Sequence, residues 1–86
     1  MLKPKARKDL VFREEDEGGF LFNPDNGSVK VLNNVGAFIW QLLDGKKTTT
    51  QIIREVQGHF SHTSLKQAEA DLNIFLAELK KSGLLK

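Results

Sequence analysis

Cysteine is absent from the 86-residue chain, so disulfides, thiolate chemistry and cysteine-based metal sites are excluded. Apolar runs are short. None approaches the roughly 20 residues of a membrane span, and the N-terminus lacks the apolar stretch of a signal peptide. The expectation is a cytoplasmic protein that does not associate with a membrane. Chemistry-bearing constellations are missing too: there is no Ser/His/Asp set, carboxylate pair, phosphate loop or metal-spaced cluster, which argues against an enzyme. His59 and His62 come nearest to a metal pair. They straddle a helix end without a third ligand, and read as surface or capping histidines. The acidic run Glu14–Glu17 lacks the fixed oxygen geometry of a cation site and reads as a solvated turn. Nothing in the residues requires a cofactor.

What is present is an ordinary globule. With 40% hydrophobic and 28% charged residues, the chain suits one domain with an adequate core. The net charge of +2 is unevenly spread, because Lys3, Lys5, Arg7 and Lys8 put four positive charges into the first eight residues. Everything after them is slightly acidic. Residues 1–8 are therefore expected to be a basic, flexible arm, and residues 9–86 a single domain. Any role of the arm would be weak electrostatic contact with an acidic partner.

After the arm, "DLVFREEDEGGFLFNPDNGSVKVLN" predicts strand, turn, strand, turn, strand. The first strand spans Asp9–Glu14. Asp16, Glu17, Gly18 and Gly19 form the first turn, where glycine can take positive φ. "GFLFN" is the second strand, and "NPDNG" is the strongest local turn signal in the chain. "SVKVL" alternates, with Val29 and Val31 on one face and Ser28, Lys30 and Leu32 on the other.

Three helices follow. The first carries Val35, Phe38, Ile39, Leu42 and Leu43 as one apolar stripe, opened by an asparagine cap and ended by Gly45. The second is capped by Thr48 or Thr49 and turns Ile52, Ile53, Val56 and Phe60 inward. The third starts at Ser64, where Gln67 completes a capping-box pattern. Its stripe is Leu65, Ala68, Leu72, Phe75, Leu76 and Leu79, and Gly83 ends it. The fold class is α+β: a βββααα domain with a three-stranded antiparallel sheet packed on three helices. Such a sheet has two edges, which must be covered, charged or used.

A few residues stand apart from this pattern. Trp40 reads as core or core rim. Gly36 costs about 1 kcal/mol relative to alanine inside a helix, which suggests close approach of another backbone or a plain first-turn glycine. Asp71 lies at the margin of the third helix's stripe, either as an exposed carboxylate or as a polar anchor beside a groove. Ile74 faces away from that stripe as a lone exposed apolar residue. A DNA-binding winged helix would need a basic recognition helix. Here Lys66, Lys80 and Lys81 are set against Glu69, Asp71 and Glu78, so nucleic acid is not the expected partner.

The stretches "GFLFNPDNGSVKVLNNVGAFIWQLLDG", "TTQIIREVQGHF" and "ADLNIFLAELKKSGLL" closely resemble the PqqD-like family. That family includes the small partner protein of pyrroloquinoline quinone biosynthesis, and its fold recurs as the RiPP recognition element of ribosomal peptide-modifying systems. The more specific marks are Leu32–Asn33, Gly36, Ile39–Trp40, Leu42–Gly45, and the run of Asp71, Phe75, Leu76, Leu79, Gly83 and Leu84. Val35 departs from the small polar residue expected there, which bears on how the first helix is capped.

The resemblance implies a winged-helix-like, cofactor-free adaptor that binds the leader segment of a precursor peptide. It would present that leader to a modifying enzyme, commonly a radical SAM protein. The leader would add as a strand along Ser28, Val29, Lys30, Val31 and Leu32. Leu65, Ala68, Asp71, Leu72 and Phe75 would wall the groove beside it: Ala68 leaving room, Leu72 and Phe75 forming an apolar floor, Asp71 accepting from a peptide donor. The alternative is a DNA-associated or structural winged-helix module.

Overall fold

Six elements follow one another in the order β1 (Val11–Glu15), β2 (Gly18–Asn23), β3 (Ser28–Leu32), α1 (Asn34–Gln41), α2 (Thr49–His59) and α3 (Leu65–Lys81). They are seen in a computed structural model that describes residues 3–85. The strands form an antiparallel sheet of order β1-β2-β3, so the expected α+β meander-then-helices architecture holds. Two residues, Asp16 and Glu17, join β1 to β2. Gly18 follows at φ +110°, where a Cβ would overlap the Leu32 carbonyl, so only glycine fits. In the second turn the Asn23 carbonyl accepts from the Gly27 amide at 2.8 Å, and Asn23 Oδ1 accepts from the Asp25 amide at 3.0 Å. These bonds satisfy the buried Asn23 and set the β2–β3 register.

The helices cover one sheet face. Leu21 and Leu32 point into them and meet Ile39, Ile52, Val56, Leu72 and Leu79, all of which are shut off from solvent. Trp40 is also buried in this core. Each helix has a side-chain N-cap that takes an otherwise unpaired amide: Asn33 for α1, Thr48 for α2 and Ser64 for α3. The reciprocal capping box forms at Thr48–Gln51. At Ser64 only half of the expected box exists. Ser64 Oγ accepts from the Gln67 amide at 3.1 Å, but the Gln67 side chain donates to Asp71 at 2.8 Å instead.

Two expectations fail for one shared reason. Residues 3–8 of the arm are docked rather than free; Met1 and Leu2 of that arm lie outside the described residues. Pro4 is buried and Ala6 packs on the core. The Ala6 amide donates to the Leu43 carbonyl at 2.9 Å, the Gly45 amide to the Pro4 carbonyl at 3.1 Å, and the Arg7 amide to the Leu84 carbonyl at 3.1 Å. The Arg7 guanidinium then ties three segments together. It donates to the Gly83 carbonyl at 3.1 Å, to Asp25 at 3.0 Å and to Asp9. That bond holds the Asp9 carboxyl below its ordinary range.

Because the Gly45 amide goes to the arm's Pro4 carbonyl and not to the Gln41 carbonyl four residues back, α1 does not run to Gly45. It stops at Gln41, and the Leu42 and Leu43 amides close the end with tighter bonds to Ile39 and Trp40. The Asp44 carboxylate folds over the next turn. It accepts from the Lys46 amide at 2.8 Å and the Lys47 ammonium at 3.2 Å, which lowers its pKa from the ordinary value.

Candidate functional site

Among the described residues the strand order leaves the outer edge of β3 unpaired, because β3 bonds there only to β2. An unpaired edge presents a row of free backbone donors and acceptors. On β3, Leu32 is buried and Lys30 half-buried toward the helices, while Ser28, Val29 and Val31 are exposed. The Lys30 ammonium reaches Glu78 on α3 at 3.3 Å, a bridge from strand to helix. Both groups are partly in solvent, so the pair contributes little to stability, of order 0–1 kcal/mol.

Beside this edge a groove of about 190 Å³ opens between the start of α1 and the middle of α3. The α1 wall is Val35, Gly36 and Ile39, and the α3 wall is Asp71, Ile74, Phe75 and Glu78. Asn33 sits where β3 turns into α1, its Oδ1 accepting from the Gly36 amide at 2.8 Å. Gly36 faces Phe75 of α3 at ordinary contact distance. A Cβ there would lie 3.5 Å from a Phe75 ring carbon and 3.3 Å from Asn33 Oδ1. The neighbour that crowds this glycine is therefore a side chain and not another backbone. The groove is apolar at its centre and carries one carboxylate at each end, since Asp71 and Glu78 are two helical turns apart.

The structure divides the expected groove residues. Asp71 and Phe75 line the groove, Asp71 partly exposed and Phe75 mostly buried with an edge in the groove. Ala68 and Leu72 are wholly buried in the core and present no surface to a ligand. Leu65 is exposed at the start of α3, outside the groove wall. Ile74 was missed. It is 59% exposed and lies in the groove, and its only mark in the sequence is an apolar residue off the core stripe next to Phe75.

The rest of the surface offers less. His59 stacks on Phe38 at a centroid distance of 4.3 Å, which places it as an aromatic packing partner. Among the described residues no group of three or more His, Asp or Glu side chains gathers to hold a metal ion. No helix among them is long and apolar enough to cross a membrane. The α3 face that opens on the groove is acidic, the reverse of a phosphate-binding surface.

Comparison with solved structures finds the same architecture elsewhere. A structure described as "TbiB1 in Complex with the TbiA(beta) Leader Peptide" superposes with a TM-score of 0.80 at 27% identity, over 95% of this chain and 94% of that one. A second, "Lasso peptide synthetase B1 complexed with the leader peptide", gives 0.81 at 20% identity over 98% of each chain, a likeness of fold. No match was found among curated protein sequences. The family model for coenzyme PQQ synthesis protein D matches residues 18–85, from β2 through the segment after α3. The chain belongs to the PqqD family, whose members are non-catalytic.

Proposed function

We propose that this domain binds the leader segment of a ribosomally made precursor peptide and presents it, in the cytoplasm, to a modifying enzyme. The observation that carries the proposal is the open edge of β3 running beside an apolar groove. A peptide strand added to that edge gains main-chain hydrogen bonds, and its alternate side chains fall into the groove over Ile74 and Phe75. No catalytic residue is needed for such a role. The similarity to TbiB1, described in complex with a leader peptide, supports the same use here.

The enzyme in this proposal is a radical SAM protein, as the family resemblance implies. The product is pyrroloquinoline quinone or another modified peptide. By holding leader and enzyme together, the adaptor raises the local concentration of the peptide to be modified. The test is an amide titration of the isotope-labelled protein with synthetic peptides from short reading frames next to its gene. A binding peptide is expected to shift amides in Ser28–Leu32 and Ile74–Glu78. Saturable binding that moves neither segment would overturn the proposal.

A further inference from the structure

The large apolar side chains exposed on this protein are not scattered. Of six among the described residues, Leu65 and Ile74 lie on α3, whereas Val11, Phe22, Val29 and Val31 share the sheet face turned away from the helices. The register lines up Val11, Phe22 and Val29 in one cross-strand row. The next row is Arg13, Phe20 and Val31. An antiparallel sheet with one face on the core ordinarily alternates to polar residues outside. Here the outer face carries an apolar row across all three strands, Val11, Phe22 and Val29, and stays apolar on β2 and β3 in the next row, where β1 supplies Arg13. Its most exposed members are on the edge strand itself, Val31 at 80% and Val29 at 57%. The patch thus runs to the open edge of β3 and ends there with its apolar side chains uncovered.

We infer that the leader strand is read on both of its faces, an inference that rests on the docking to β3 proposed above. Side chains of an added strand alternate between the two sides of the sheet. One set enters the groove over Ile74 and Phe75. The intervening set lands on the outer face, where a residue opposite Val29 or Val31 comes within about 4.5–5.5 Å between Cβ atoms. Both sets meet apolar surface. The recognised segment is therefore a run of about four or five consecutive apolar residues, rich in β-branched and aromatic side chains. It is not a strand that alternates apolar with polar. Size favours this occupant over a second copy of the chain. Three strands by five residues span about 240 Å², well short of the roughly 800 Å² per partner of a stable interface. A strand already held by backbone bonds needs only the lateral contact.

The experiment is selection of a random dodecapeptide library, displayed on its own messenger RNA, against the full-length protein. The same library is run against Val31→Lys and Val29→Lys, with Val31→Thr as a milder variant should either lysine disturb the amide spectrum. Peptides recovered on the unaltered protein are expected to carry the uninterrupted apolar run. On the lysine variants apolar preference should vanish at every second position of that run and persist at the others. A peptide recovered on the unaltered protein should bind Val31→Lys about fivefold more weakly. Recovered peptides that alternate apolar with charged residues, or equal affinity for Val31→Lys, would overturn the inference while leaving docking to β3 intact. Recovered peptides that leave the β3 amides unshifted would overturn the docking as well. Self-association of the protein that disappears in Val31→Lys would assign the patch to a second copy and overturn the inference too.

Discussion

Ile74 and Leu72 stand two residues apart on α3, yet their truncation should have opposite consequences. Fully burying an isoleucine is worth about 1.5–3 kcal/mol. With 59% of Ile74 in solvent, roughly 1–2 kcal/mol of that remains to be gained when a ligand covers the groove. Ile74→Ala removes most of it. Leader binding should weaken by ~1 kcal/mol, about fivefold in Kd, with unfolding free energy lowered by no more than about 1 kcal/mol. Leu72 is wholly buried, so Leu72→Ala should cost about 2–5 kcal/mol of stability through the cavity it leaves. What remains folded of that variant should bind the leader nearly as well as the parent protein. Calorimetric titration gives the affinities and urea unfolding the stabilities. Parental affinity in Ile74→Ala, or a stability loss above about 2 kcal/mol, would refute the assignment of Ile74 to the binding surface.

Three further outcomes are expected. Gly18→Ala meets both a φ of +110° and the Leu32 carbonyl and should lose well over 1 kcal/mol, whereas Gly27→Ala, at φ +72° with open space around it, should lose about 1 kcal/mol in thermal melts. Asp44 is depressed first by the Lys46 amide and then by the Lys47 ammonium, so its contribution is present above the unfolded carboxylate pKa near 3.8 and is lost as pH falls through the lower folded value. Asp44→Asn should therefore lower the urea midpoint by a pH-independent amount above about pH 5, with the difference from the parent protein closing as pH falls through the acid limb. Omitting the protein from a reconstituted modification reaction should abolish turnover at low precursor, with partial recovery at very high precursor; full turnover at low precursor would reject the adaptor role.

Much of the scaffold is legible in the residues because its signals are local. Alternation in "SVKVL", the "NPDNG" turn and the Asn33, Thr48 and Ser64 caps each act within a few residues, and β3 occupies the expected span, Ser28–Leu32. The end of α1 was not legible. It depends on Pro4, which lies far away in sequence and whose carbonyl takes the Gly45 amide. The same contact explains why a lysine-rich arm reads as free when Pro4 and Ala6 are packed down. At the groove, helical periodicity separated core from surface but not one surface from another. It grouped Ala68 and Leu72 with Phe75, although only Phe75 sits opposite the residue without a side chain, Gly36. It also set Ile74 aside, since a single apolar residue off the stripe acquires meaning only when α1 is placed across from it.

In the proposed complex, backbone groups on the free edge of β3 hold the leader. Alternate amides of an edge strand point inward to β2 and outward to an added strand. Proline deletes the amide at its own position and also restrains the residue before it, which blurs the effect slightly. The most direct measurement is a proline scan of Ser28, Val29, Lys30 and Val31, reading the amide spectrum and leader affinity of each variant. The variants should split with period two. One alternate pair should lose the folded spectrum, while the other keeps it and binds the leader more weakly by roughly 1–3 kcal/mol. If every variant that stays folded binds the leader as tightly as the parent protein, the edge of β3 is not where the leader docks.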